Sequence, residues 1–96
     1  MIIVTAKMNV KSGFKDEFIG EAKDLINATR AENGCISYNL YSDTDDPNDL
    51  VMLEFWEDMD SLDTHMESDH FKQFGNILGK YVDEKMDIAK FQAESV

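Results

Sequence analysis

Two histidines, His65 and His70, and the single tryptophan, Trp56, are the side chains best suited to proton transfer or to holding an aromatic ligand. A histidine titrates near neutrality and can act as a general base. It can equally be a helix-surface residue with a satisfied hydrogen bond. For His65, beside the apolar Leu62 and Met66, the two readings stand level; for His70, at the start of a helix, the structural one leads. Trp56 ends a strand just before the helix bearing His65, so a strand-to-helix turn can bring indole and imidazole to one pocket. A tryptophan is more often core than site, but its large apolar face and indole donor suit an aromatic ligand. Tyr38 and Tyr41 lie on the neighbouring strand and point to opposite faces, so only one can share a pocket with Trp56. Cys35 has no catalytic partner nearby in sequence, and a structural thiol is the commoner case.

His65 and His70 are five residues apart. On one continuous helix they would point about 140° apart, because each residue turns roughly 100°. They cannot clamp one metal ion unless the helix breaks between them. Ser68 signals such a break, but Glu67 and Asp69 would still have to converge. No metal is therefore expected. Nor is a flavin or haem: the sequence has no phosphate-binding loop or dinucleotide fingerprint, and it also lacks a nucleophile elbow and a zincin helix.

The elements that must carry these residues are set by hydrophobic period. Ile2, Val4, Ala6, Met8 and Val10 alternate with Ile3, Thr5, Lys7 and Asn9, a first strand. After Ser12-Gly13, with Ser12 as the expected N-cap, Phe14, Phe18, Ala22, Leu25 and Thr29 form one helical face. Asn33-Gly34 supplies a left-handed stop. Cys35 to Tyr41 reads as a second strand, rich in β-branched and aromatic residues. Asp43 to Asp49 is a turn; it lacks the ligand spacing of a calcium-binding hand. Leu50 to Glu57 is a third strand, mainly apolar on both faces. Such a strand is buried on both sides, and a domain this small covers only one face with its own helices. The other face calls for a second copy, so a homodimer is expected. Asp58 and Ser68 cap two short helices, the second with a stripe of Phe71, Phe74, Leu78 and Val82, and Lys85 to Ala93 closes as a fourth strand. The order is β-α-β-β-α-β, an α+β ferredoxin-like pattern with a four-stranded antiparallel sheet.

The 96 residues make one domain, 1–96, with a limited core. Twenty acids against nine bases give a charge of -11, which repels phosphate backbones and anionic lipid. No nucleic acid or membrane is expected as a partner. No apolar run is long enough to span a bilayer, and the N-terminus lacks the pattern of a signal peptide. One unpaired cysteine fits a reducing compartment, so a cytoplasmic location is expected.

Three segments in order carry a family resemblance: Glu32-Asn33-Gly34-Cys35-Ile36-Ser37-Tyr38-Asn39-Leu40-Tyr41, Glu54-Phe55-Trp56-Glu57-Asp58, and His65 followed by Ser68-Asp69-His70-Phe71. They resemble the E-x-G-c-x-x-Y-x-x-Y, E-x-W-x-D and H-x-x-s-x-H-f stretches of the antibiotic biosynthesis monooxygenases, especially their small quinol-monooxygenase-like members. The resemblance implies a dimeric α+β barrel with a pocket between sheet and helices. It also implies oxygenase chemistry without flavin or metal on a phenolic or quinol-like aromatic. The family's pocket Trp and His map onto Trp56 and His65. Haem-degrading relatives use an Asn on the first strand where this chain has Ala6, and Asn9 is out of register. Isomerase relatives take a phosphorylated substrate, for which no basic cluster is evident. Under this resemblance His65 is the expected base, Trp56 a stacking wall, and Tyr38 and His70 substrate-binding side chains, with Trp56 and His65 facing one cavity. The alternative is a small-ligand-binding or stress-response protein on the same dimeric barrel, without turnover.

Overall fold

The computed structural model describes residues 1–83 and 85–96. Its elements are β1 (Ile2–Asn9), α1 (Lys15–Arg30), β2 (Cys35–Ser42), β3 (Asp49–Trp56), α2 (Met59–Met66), α3 (Asp69–Ile77) and β4 (Asp87–Gln92). The four strands form one antiparallel sheet in the order β2-β3-β1-β4, the ferredoxin-like arrangement read from the sequence. Alternation decides which face is covered. Ile2, Val4, Ala6 and Met8 of β1 stand beside Trp56, Glu54, Met52 and Leu50 of β3, and all eight are buried under the helices. Val51, Leu53 and Phe55 point the other way and remain partly exposed in the single chain.

Helix α1 buries Phe18, Ala22, Leu25 and Thr29, the expected face, while Phe14 stays 37% exposed. Ser12 is not its cap. Phe14 holds that position with no side-chain bond, because Ser12 is turned away in a tight turn where Gly13 has φ 87°. Asp16 and Glu17 still lie in the first turn, against the positive helix end. Asp58 and Ser68 do cap α2 and α3, accepting from Ser61 N at 2.8 Å and Phe71 N at 3.3 Å. The expected stripe of the last helix is cut short. After Ile77 the chain tightens into a 3-10 turn, Leu78–Lys80, and Val82 leaves the helix for a bridge to Val10. Gly75 and Gly79 flank this change, and glycine weakens a helix by about 1 kcal/mol each. The acidic loop is turn chemistry as expected: Asp43 and Asp46 accept from the backbone of Asp45 and Asn48 at 2.8 and 3.0 Å.

The junction between α1 and β2 controls how closely α2 approaches the sheet. Gly34 has φ 83°, and its carbonyl accepts from Glu57 N at 2.9 Å. A β-carbon there would collide with Ser61 Oγ. The missing side chain therefore lets the start of α2 lie directly on this loop. Gly34→Ala is expected to destabilise the protein by about 2–4 kcal/mol, from left-handed backbone strain plus forced displacement of Ser61. A urea midpoint unchanged from wild type would refute that account.

Candidate functional site

The helix break between α2 and α3 positions the two histidines. Ser68 sits in it, its hydroxyl donating to the His65 carbonyl at 2.5 Å while its backbone N–H donates to the same oxygen at 3.0 Å. The new helix then starts in a fresh direction. As a result His65 Nδ1 and His70 Nε2 both reach Glu32 Oε2, at 2.6 and 2.9 Å. Glu32 comes from the loop that Gly34 closes. The convergence considered from sequence required Glu67 and Asp69; the structure supplies Glu32 instead, and both other acids are exposed. Glu32 opens the first of the three family segments, but sequence gave it no role, because nothing local ties it to residues more than thirty positions away.

His65 is 1% exposed and enclosed by rings: Trp56, Phe71, Tyr38 and His70 have centroids 4.8, 5.0, 5.5 and 5.9 Å from it. This burial holds its pKa below the usual histidine value, outweighing the Glu32 carboxylate, which favours the charged form. A carboxylate only accepts, so Nδ1 carries the proton of the neutral ring and Nε2 the lone pair. Nε2 is buried with no hydrogen-bond partner. The atoms of Glu32, His65 and His70 lie within 4.8 Å of one another, close enough in principle for a metal ion. Coordination through Nδ1, however, would move the His65 proton to Nε2, where the protein offers no acceptor. Metal-bound histidines ordinarily have that second-shell partner. The network suits an oriented base better than a ligand set.

A cavity of about 190 Å³ lies between the sheet and the helices. Its wall is mostly apolar, including Ala6, Met52, Leu62, Phe71 and Met86, and its polar side chains are Tyr38, Glu54, His65 and Lys90. Ile88, 50% exposed, and Lys90 mark its side toward solvent along β4. Two larger clefts, of about 460 and 480 Å³, are lined by neither histidine.

His65 and Tyr38 thus line one cavity. The other two expected site residues do not. Trp56 is fully buried behind His65, its indole N–H donating to Glu54 Oε1 at 3.1 Å. It backs the imidazole rather than walling the cavity: the rings of His65 and Tyr38, which do line the cavity, lie against the indole. His70 is part-buried, braces Glu32 from the far side and lines a separate depression beside α1. Tyr38 is buried, which keeps its hydroxyl protonated well above the usual phenol range. Tyr41, on the opposite face of β2, is 51% exposed. Cys35 is unpaired, and burial pushes its thiol up, away from nucleophile behaviour.

Glu54 received no role from sequence. It is 6% exposed, lines the cavity, and is pushed up to about pKa 7 chiefly by burial, with the Trp56 hydrogen bond opposing. A signal existed: Glu54 interrupts the otherwise apolar face of Leu50, Met52 and Trp56.

Fold and site together define a ferredoxin-like α+β domain that holds a carboxylate-anchored histidine against an apolar cavity. The chain belongs to the antibiotic biosynthesis monooxygenase family, whose sequence model matches residues 1–76. A crystal structure of a conserved protein from Methanosarcina mazei Go1 is 40% identical and superposes with a TM-score of 0.93, covering 97% of this chain and 92% of that one. The Bacillus subtilis protein YcnE, whose name marks it provisionally as a monooxygenase, is 38% identical over 74 residues, 77% of this chain and 78% of its own length. An uncharacterized Synechocystis protein, sll1783, is 36% identical over 73 residues, and the match spans 50% of its length. No helix among the described residues is long and apolar enough to cross a membrane.

Proposed function

We propose that this protein is a cofactor-independent monooxygenase acting on a phenolic or quinol-like aromatic. One observation carries the reading: the buried His65 imidazole, oriented on Glu32 with an unpartnered Nε2, in the wall of an apolar cavity. A base so held takes the phenol proton, and the dry wall keeps the resulting anion reactive. The phenolate passes one electron to dioxygen. The radical pair couples through a new carbon–oxygen bond to a peroxide. Loss of water with cleavage of the oxygen–oxygen bond leaves a carbonyl on the ring carbon, so one oxygen atom enters product and the other leaves as water. The substrate supplies all the electrons, so no flavin, haem or metal is required.

Oxygen uptake with a panel of quinols and phenols tests this reading. Turnover is expected, and it should survive exhaustive treatment with a chelator. Loss of activity on chelation, restored by a divalent ion, would turn the site into a metal centre. Binding of the same compounds without oxygen uptake would favour the alternative, a ligand-binding protein on the same scaffold.

We also propose that the protein works as a homodimer through the outer sheet face, where Val51, Leu53 and Phe55 run along β3 and the Phe55 row continues through Ile3 to the 52%-exposed Phe91. Such contiguous apolar surface marks an interface. Sedimentation equilibrium is expected to give twice the 11.0 kDa chain mass, and a monomer at micromolar concentration would overturn it. The unpaired Cys35 fits a cytoplasmic setting.

A further inference from the structure

We propose that Glu54 is the second working group of the site: a carboxylic acid, held protonated in the cavity wall, that donates a hydrogen bond to the oxygen of a single-ring phenol whose proton His65 removes. This deepens the monooxygenase reading and rests on its assignment of the cavity as the substrate site.

The placement is specific. Glu54 lies in the middle of the helix-facing side of the sheet, in one cross-strand row with Tyr38 of β2, Val4 of β1 and Lys90 of β4. A carboxyl at such a position must be neutral or paired. Among the described residues it makes no ion pair within salt-bridge distance; its one assigned bond is from Trp56 Nε1, to Oε1. The groups that act on it are few. Trp56 on β3 stabilises the anion, and Lys90 on β4 does so weakly from the solvent side. Glu32, from the loop before β2, opposes ionisation. Tyr38 on β2 is held neutral, and His65 on α2 is neutral through burial. The nearest α1 and α3 side chains of the cavity, Leu25, Phe71 and Phe74, bring no charge. Burial dominates, and it keeps the proton on Glu54 up to about pH 7.

His65 and Glu54 are thus displaced in opposite senses: the histidine toward its neutral base form, the carboxyl toward its neutral acid form. Two titratable groups driven apart by their surroundings mark a base and an acid. A ligand that fills the cavity touches both, because both line it. Its volume sets the ligand class. A dry cavity of about 150 Å³ accommodates benzene, so about 190 Å³ encloses one substituted ring and is too small to enclose a fused polycycle. In the bound state the phenol O–H bond breaks, an Nε2–H bond forms, the imidazolium is balanced by Glu32, and the Glu54 O–H points at the new phenolate oxygen. No electron moves in this step.

Binding of 4-nitrophenol, followed by its visible absorbance across mildly acidic to alkaline buffers, tests the assignment without relying on turnover. In wild type, affinity should fall as pH rises through about 7, approaching tenfold per further pH unit as Glu54 ionises. Glu54→Gln keeps the shape and an N–H donor but cannot ionise, so it should lack that added fall. The ligand's own titration is common to both proteins and cancels in the comparison. Identical pH profiles for wild type and E54Q would overturn the role of Glu54 while leaving the phenol site standing. No binding to wild type would overturn the site itself and the proposal with it. Tighter binding of a naphthol or anthrol than of nitrophenol would overturn the single-ring limit.

Discussion

Replacing His65 by alanine is expected to lower oxygen uptake by roughly 10²–10⁴-fold, the usual contribution of a positioned general base. The expectation rests on Nε2, the one histidine nitrogen in the cluster that is buried without a partner. His65→Phe is the informative companion, since a phenyl ring fills the same cage of Tyr38, Trp56 and Phe71 without offering a base. Both variants should lose turnover, while H65F keeps the packing of the cage and a cooperative melting transition, lowered only by the lost bond to Glu32. If H65F retained activity, the imidazole would be packing and not chemistry. The pH profile supplies an independent sign. The active form is neutral, and burial lowers the His65 pKa below 6.5, so the acid limb of the turnover profile should lie below that value. The same shift makes the neutral ring a stabilising feature that is lost as pH drops through the lowered pKa. Glu32→Gln removes the carboxylate that favours the imidazolium, so it should move the acid limb lower still and slow the reaction.

Trp56→Ala is expected to cost about 3–5 kcal/mol of stability, the range for truncating a large buried aromatic. Domains of this kind hold only about 5–15 kcal/mol in total. A loss of that size lowers the melting temperature by roughly 4–8 °C per kcal/mol in a chain this small. Position sets the magnitude. Trp56 is fully buried, packs edge-on to Tyr38 at 6.4 Å, and lies against His65 at 4.8 Å. Removing it withdraws the wall behind the imidazole and frees Glu54 of its donor. The loss is chiefly structural, in contrast to the stacking role expected from sequence. Trp56→Phe separates the two effects: it retains most of the packing but not the N–H, and Glu54 should then titrate higher than in wild type, since that bond lowers its pKa. Thermal melts of W56A and W56F check the first effect, and a carboxyl titration of W56F checks the second. A W56A melting temperature within a few degrees of wild type would contradict the burial argument.

Much of the scaffold was legible because it depends on short-range patterning. The period of two in Ile2, Val4, Ala6 and Met8 and the helical spacing of Phe18, Ala22, Leu25 and Thr29 depend on each residue's neighbours alone, and these residues are buried as that spacing requires. The caps at Asp58 and Ser68 and the left-handed Gly34 are equally local, since a short oxygen-bearing side chain or a missing Cβ acts within one turn. Ser12 was the exception: its identity suited a cap, but the tight turn at Gly13 carried it out of reach.

The site was legible only in its vocabulary. Sequence picked out His65, which lines the cavity, yet the residue that orients it, Glu32, lies 33 positions away and meets it only because Gly34 lets α2 approach the loop. The break at Ser68 was foreseeable, but not the rotation it produces, and that rotation decides that both histidines share one carboxylate oxygen. Trp56 and Glu54 occupy one face of one strand, and alternation puts both under the helices; tertiary packing shuts the first away and leaves the second lining the cavity. Local propensity thus fixes which groups the chain possesses and which way each element turns them. Long-range packing alone decides which are shut from water with a partner, which without one, and therefore which can work as acid and base.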